Sequence, residues 1–163
     1  MLATVGADGR PSSRVVLLKE IADGALVFTS HTGSRKGRDL AVTPWASMTF
    51  YWRETLQQVT AAGTVGLLPD AQSDDLFAER PPAARVTTAV SRQSSPLTSE
   101  QELADRARSL LESGDPIQRP QGWGGYRLSP ERIEFWQGRR DRLHRRLEYT
   151  REGSLWTSQR LQP

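Results

Sequence analysis

The sequence predicts a mainly β protein, an antiparallel β-barrel with flanking helices over its openings. Three observations carry that prediction. About nine short segments have strand patterning and are separated by turn residues. Two of the separators, Asp8-Gly9 and Asp23-Gly24, are dipeptides that tight hairpins favour. Helical signals are confined to three short stretches between strands, and closing a barrel removes the edges that so many strands would otherwise expose.

Residues 2–5, 13–20 and 25–30 read as strands joined by the two Asp-Gly turns. Ser34 is placed to cap a short helix that runs through Leu40 and that Pro44 closes off. Residues 45–52 and 57–68 give two further strands around Arg53-Glu54-Thr55-Leu56. Pro69-Asp70 opens a helix running to about Glu79, ended by Arg80-Pro81-Pro82. Residues 86–97 are rich in Ser, Thr and Gln and read as irregular. Ser99 and Glu102 have capping-box spacing, and Leu103, Ala107, Leu110 and Leu111 follow on one helical face, as for a surface helix packed on the sheet. A Gly/Pro/Gln loop at 114–122 leads to four strands, 123–129, 132–138, 142–150 and 154–160.

The chain has 163 residues, 25% charged and 36% hydrophobic, and residues 1–163 read as a single globular domain. It has no cysteine, which excludes disulfides, thiolate metal sites and cysteine nucleophiles. Met1 to Gly9 has no basic segment followed by an apolar run, so it does not read as a signal peptide. No stretch approaches the ~20 apolar residues that span a bilayer, and a cytoplasmic location without a membrane partner is expected. The net charge is +3 and the pI 9.8 because arginine dominates the cations. Arginine suits bidentate recognition of phosphate or carboxylate. The arginines are spread over several motifs, which argues for local anion pockets and against a nucleic-acid face.

The richest stretch is Glu134-Phe135-Trp136-Gln137-Gly138, followed by Arg142-Leu143-His144-Arg145-Arg146. An apolar-aromatic strand delivers a tryptophan to a glycine turn. On a returning strand, Arg142, His144 and Arg146 share one face and point at something anionic or proton-exchanging. A solvated basic strand is the plainer alternative. Arg14 and Lys19 bracket an apolar run and, five apart, face opposite sides of an ideal strand. Ser34-Arg35-Lys36-Gly37 sits at a helix start, where free N–H groups and the helix dipole attract an anion. Gln57 and Gln58 lie early in a strand, and a core-facing glutamine there needs a partner such as a flavin edge or another amide. Ser91-Arg92-Gln93-Ser94-Ser95 suits either a phosphate-wrapping segment or an exposed loop. His31 and His144 are distant and lack ligand spacing, so no metal is expected. With no P-loop or nucleophile elbow and no redox-active side chain, an oxidoreductase of this sequence needs a cofactor.

Taken in order, several motifs resemble the pyridoxamine/pyridoxine 5′-phosphate oxidase family of FMN-dependent split-barrel flavoproteins over nearly the whole chain. They are Arg14-Val15-Val16-Leu17-Leu18-Lys19, Ser34 to Gly37, Tyr51-Trp52, Gln58, Arg80-Pro81, Val90 to Ser95, Trp123 to Tyr126, Phe135 to Gly138, Arg142 to His144 with Arg146, and Arg160-Leu161. The resemblance implies a homodimeric FMN-binding split barrel with its cofactor sites at the interface. It implies that Arg14, Arg35 and Lys36 hold the FMN phosphate, with Gln93 and Ser94 contributed across the dimer. Gln58, Trp136 and Arg146 would meet the ribityl-flavin region. The backbone of residues 14–19, with Thr29 and Ser30, would line the ring. Arg142 and His144 would face the substrate.

In the family's pocket for a substrate phosphate, Lys19 and Arg80 match, while Leu76 and Ala84 stand where a tyrosine and a serine are usual. Each hydrogen bond lost to a charged group costs about 1.5–3 kcal/mol. Pro44-Trp45-Ala46-Ser47, Tyr51 to Thr55, Gln57-Gln58, Val90 to Ser94 and Arg160 to Pro163 resemble the family's phenazine-biosynthesis flavin oxidases. The N-terminal extension common in the family is expected to be absent or truncated. The implied function is oxidation of a reduced nitrogen heterocycle by O2 with release of H2O2, on a reduced phenazine carboxylate in preference to pyridoxamine phosphate. The alternatives are formation of pyridoxal 5′-phosphate, and flavin or deazaflavin binding without turnover.

Overall fold

The computed structural model describes all 163 residues. Its first hairpin pairs β1 (Leu2–Val5) with β2 (Pro11–Arg14), and its second pairs β3 (Leu18–Ala22) with β4 (Ala25–His31). The second turns on Asp23 and Gly24 at φ 50° and 72°, the left-handed pair that a two-residue hairpin needs. Next come α1 (Arg35–Val42), β5 (Trp45–Trp52) and β6 (Gln57–Leu67). Three consecutive helices follow, α2 (Asp70–Ala78), α3 (Pro82–Val90) and α4 (Glu100–Glu112). The chain closes with β7 (Trp123–Gln137), β8 (Arg145–Glu152) and β9 (Leu155–Leu161).

The strands form one antiparallel sheet in the order β2-β1-β5-β6-β7-β4-β3, with β8 on β7 and β9 on β8. β2 and β3 stand at opposite ends of that order, yet only residues 15–17 separate them in the chain. The sheet therefore curls until its ends meet, giving a split barrel. β7 is its spine. One side pairs with β6 along most of its length, while the other pairs first with β4 and then with β8.

Strand alternation explains the core. Leu26 and Phe28 point into the barrel with Leu2, Met48 and Leu128, while Val27 points the other way, to Leu76, Phe77 and Trp123 under α2. Phe28 stacks on its register partner Tyr126 with ring centroids 5.2 Å apart. Each such side chain stabilises the fold by about 1.5–3 kcal/mol on burial. No helix is long and apolar enough to cross a membrane.

Four expectations are corrected. The strand 13–20 is broken: Val15 and Leu17 are 83% and 75% exposed in the link between β2 and β3, and only Val16 turns inward to the core. Residues 86–90 are helical and complete a fourth helix. Pro82 supplies the preset φ of a first helical residue, and the hydroxyls of Thr87 and Thr88 donate to the carbonyls of Ala83 and Ala84 at 2.9 and 2.8 Å. α4 packs against α3 and buries no residue against the sheet. Segments 123–129 and 132–138 are one strand with a register shift opposite Ala62 and Gly63, which is where Pro130 is tolerated. A Cβ on Gly63 would lie 2.0 Å from the Ser129 carbonyl oxygen, so this crossing admits only glycine.

Candidate functional site

The first group of functional side chains gathers at the start of α1. Ser34 caps the helix by accepting from the Gly37 N–H at 3.2 Å, and donates to the His31 carbonyl at 2.7 Å. A Cβ on Gly37 would meet the Thr32 carbonyl at 2.2 Å, so glycine is what allows the helix to start against β4. Lys36 is buried. Its Nζ donates to Ser30 Oγ at 2.9 Å, Gln93 Oε1 at 3.2 Å and Ser34 Oγ at 3.3 Å, all neutral acceptors. Burial, with Arg14 nearby, pushes the Lys36 pKa down. The Arg35 N–H donates to Ser94 Oγ at 3.2 Å, and the Arg35 guanidinium is exposed without an acidic partner. Arg14 donates to Thr4 Oγ1 at 2.7 Å and lies 3.9 Å from Asp39. Burial lowers the Arg14 pKa, and Asp39 opposes that shift. Three cations thus meet one carboxylate, an arrangement that suits an added anion.

Gln93 and Ser94 reach this corner within their own chain. The family resemblance implies that they cross to a partner, which differs from this placement. The reason is α3, which ends at Val90 and turns the following loop back onto α1.

Beside the corner lies a cavity of about 390 Å³ lined by Val15, Val16, Leu17, Lys19, Arg80 and Ala84, with Thr29, Lys36 and Gln93. Leu18 packs toward the barrel core. The Arg80 guanidinium sits 5.1 Å above the Trp123 ring and donates to Thr88 Oγ1 at 3.1 Å and the Ala84 carbonyl at 3.4 Å. Burial lowers its pKa. Lys19 Nζ lies 3.2 Å from Glu79 Oε2. Leu76 is not a wall of this cavity. It is 7% exposed and packs with Val27, Phe77 and Trp123, because α2 turns it under the sheet.

The second group lines a cleft of about 680 Å³ at the far end of β7. Gln58, Trp136 and Arg146 are register neighbours on β6, β7 and β8, so they share a face. The His144 ring lies 4.9 Å from that of Trp136, and His144 Nδ1 accepts from the Arg139 N–H at 3.1 Å. Arg146 forms a two-point contact with Glu134 at 2.6 and 3.1 Å, which raises its pKa. Arg142 does not share their strand. β8 begins at Arg145, and Arg142 is an exposed turn residue at φ 64° outside the cleft lining. Trp52, Phe135, Arg145 and Arg160 belong to motifs quoted from the sequence, but no site role followed for them there. All four line the cleft, and neither arginine has an acidic partner. The signal was available in the β8–β9 pairing, which sets Arg160 beside Leu147.

The two groups share no lining residue. Gly125, paired with Thr29, and Trp136 are eleven residues apart on β7. That is roughly 36 Å of extended strand, with a register shift between.

Comparisons with known proteins agree with this architecture. Residues 1–113 match the family described as pyridoxamine 5′-phosphate oxidase, and residues 123–163 match the pyridoxine 5′-phosphate oxidase C-terminal dimerisation region. A dihydrophenazinedicarboxylate synthase of Pseudomonas chlororaphis is 44% identical over 99% of this chain and 73% of its own length. A pyridoxine/pyridoxamine 5′-phosphate oxidase of Rubrobacter xylanophilus is 47% identical over 100% of this chain and 76% of its own. The crystal structure of PhzG from Burkholderia lata 383 in complex with tetrahydrophenazine-1-carboxylic acid superposes with a TM-score of 0.96, at 42% identity, over 99% of this chain and 80% of that one.

Proposed function

This chain belongs to the pyridoxamine 5′-phosphate oxidase family, and we propose that it is an FMN-dependent oxidase of reduced phenazine carboxylates. The observation that carries the cofactor assignment is Lys36, a buried ammonium whose hydrogen-bond partners are all neutral. A phosphate would supply the missing negative charge, with Arg14, Arg35 and Ser94 placed to hold it. Bound FMN would supply the hydride acceptor, and its reoxidation would reduce O2 to H2O2.

The separation of the two groups supports a homodimer in which one protomer's Lys36 corner and the partner subunit's Trp136 cleft serve one flavin. The matched dimerisation region points the same way. In this arrangement Gln58, Trp136 and Arg146 cross the interface, and Gln93 and Ser94 do not.

The chain's own groups suit the following roles in turnover. His144 Nδ1 accepts from the Arg139 N–H, which leaves Nε2 as the nitrogen free to meet a substrate. Arg142, from its turn, and Arg145 and Arg160, in the cleft, are the cations available to orient a carboxylate. Trp136 offers apolar surface to a planar ring and excludes water from it.

Relatives of both kinds are similarly identical to this chain, so identity does not choose the substrate. The cavity near Arg80 favours the phenazine reading. Ala84 offers no hydroxyl, and Arg80 Nη2 already donates to Thr88 and Ala84, although its Nε stays unpaired. The rival reading, pyridoxal 5′-phosphate formation, draws on Lys19 and Arg80 lining one cavity. Purified protein should release FMN on heating and form peroxide from reduced phenazine carboxylates. Release of FAD or a deazaflavin would overturn the cofactor assignment.

A further inference from the structure

Lys19 and Glu79 line the same cavity of about 390 Å³, and Lys19 Nζ to Glu79 Oε2 is 3.2 Å. Lys19 is the sole cation within ion-pair distance of Glu79. Glu79 is held at this point by its backbone. It ends α2, its N–H donates to the Asp75 carbonyl and the Arg80 N–H to the Phe77 carbonyl, each at 3.1 Å, and Pro81 and Pro82 follow. The corner between two helices thus carries a carboxylate into the lining of a cavity whose other charged members are cations.

We propose that Glu79 is a charge filter that excludes phosphate esters from this cavity and admits ligands with no dianion beside Lys19. The inference rests on the reading that the substrate enters here, and it deepens that reading by naming the residue that sets the preference. A phosphate dianion arriving at Lys19 must either break the Lys19–Glu79 pair or lie against the carboxylate. Both are unfavourable. Of the other cations, Lys36 would be taken up by the FMN phosphate, and Arg80 Nη2 already donates to Thr88 and Ala84 while its Nε stays unpaired, so the balance beside Lys19 falls on Glu79. A neutral ring, or one whose single carboxylate is bound elsewhere, meets no such repulsion. The Glu79 side chain is 63% exposed, so solvent screens the effect and makes it sensitive to salt. For the same reason the pair adds little to folding, and its removal leaves the fold intact.

The test uses the FMN-loaded holoenzyme, with Glu79→Gln and Glu79→Ser, titrated with pyridoxal 5′-phosphate and with pyridoxal while the flavin absorbance is followed. Both variants should bind the phosphate ester about tenfold more tightly at low salt, with the gain shrinking as salt rises. Pyridoxal should change by less than about twofold, because it carries no phosphate for Glu79 to repel. Unchanged affinity for the ester in variants that retain FMN and the wild-type melting temperature would overturn the filter, as would equal tightening of pyridoxal. Oxidation of a reduced phenazine carboxylate by the unmodified enzyme is measured in parallel. Its absence alongside a tightened ester overturns the substrate reading and leaves the filter standing. Its presence without tightening overturns the filter alone.

Discussion

Gln93 Oε1 accepts a hydrogen bond from the Lys36 ammonium at 3.2 Å, tying the loop after α3 to the start of α1 within one chain. The corner that suits a phosphate therefore draws these groups from one chain, and its chemistry can be tested apart from turnover.

Removing the charge should remove the ligand. Arg35→Ala with Lys36→Ala should weaken FMN binding by at least about tenfold, while the far-UV spectrum stays that of the parent. Fluorescence titration of the apoprotein with FMN measures it. Unaltered affinity in the folded double variant would move the phosphate site elsewhere.

The lowered Lys36 pKa gives a pH signature. Without ligand, burial disfavours the charged ammonium, so Lys36 loses its proton below the usual 10.5. A bound phosphate favours the ammonium and raises that pKa again. Between the two values, binding takes up a proton, and FMN affinity should fall as pH rises through that window. The apoprotein behaves oppositely. Its unfolded chain holds the Lys36 proton more tightly, so this group's contribution to stability grows with pH until the unfolded lysine has also titrated. Calorimetry in two buffers of different ionisation enthalpy reads the proton uptake, and Lys36→Met should abolish it.

Mixing two defective chains tests the division of the site. Lys36→Ala and Trp136→Ala should each bind FMN weakly. A hybrid dimer of the two carries one site with both changes and one with neither. It should bind one FMN with parental affinity. Were Lys36 and Trp136 to serve the same flavin from one chain, mixing would restore nothing.

Much of the fold was legible because local chemistry dictated it. Asp23-Gly24 adopts the left-handed angles its hairpin needs, and Ser34 caps the helix its position announced. The break at residues 15–17 was not legible, because an apolar run looks the same in a strand and in a link that closes a barrel. α3 was hidden by Thr87 and Thr88, whose hydroxyls are satisfied only once the helix exists. The residue types at the candidate site could be read from the motifs. Their division into two distant groups could not, since it depends on β7 running unbroken through Pro130. Leu76 illustrates the same limit: the family resemblance put it where a phosphate-binding tyrosine is usual, but α2 turns it into the core.

Leu76→Tyr should therefore act on stability and not on substrate choice. Leu76 packs among Val27, Phe77 and Trp123, and the larger ring should cost about 1–3 kcal/mol in chemical denaturation. Ala84→Ser, on the cavity wall, should instead raise vitamer turnover by restoring a donor, with stability little changed.

The central claim is that this enzyme oxidises reduced phenazine carboxylates in preference to phosphorylated vitamers. The most direct measurement is kcat/KM for a reduced phenazine carboxylate and for pyridoxamine 5′-phosphate on the same FMN-loaded preparation, with peroxide release and oxygen uptake followed together. The phenazine substrate should show the higher kcat/KM. Efficient oxidation of pyridoxamine 5′-phosphate with no turnover of the phenazine substrate would contradict it.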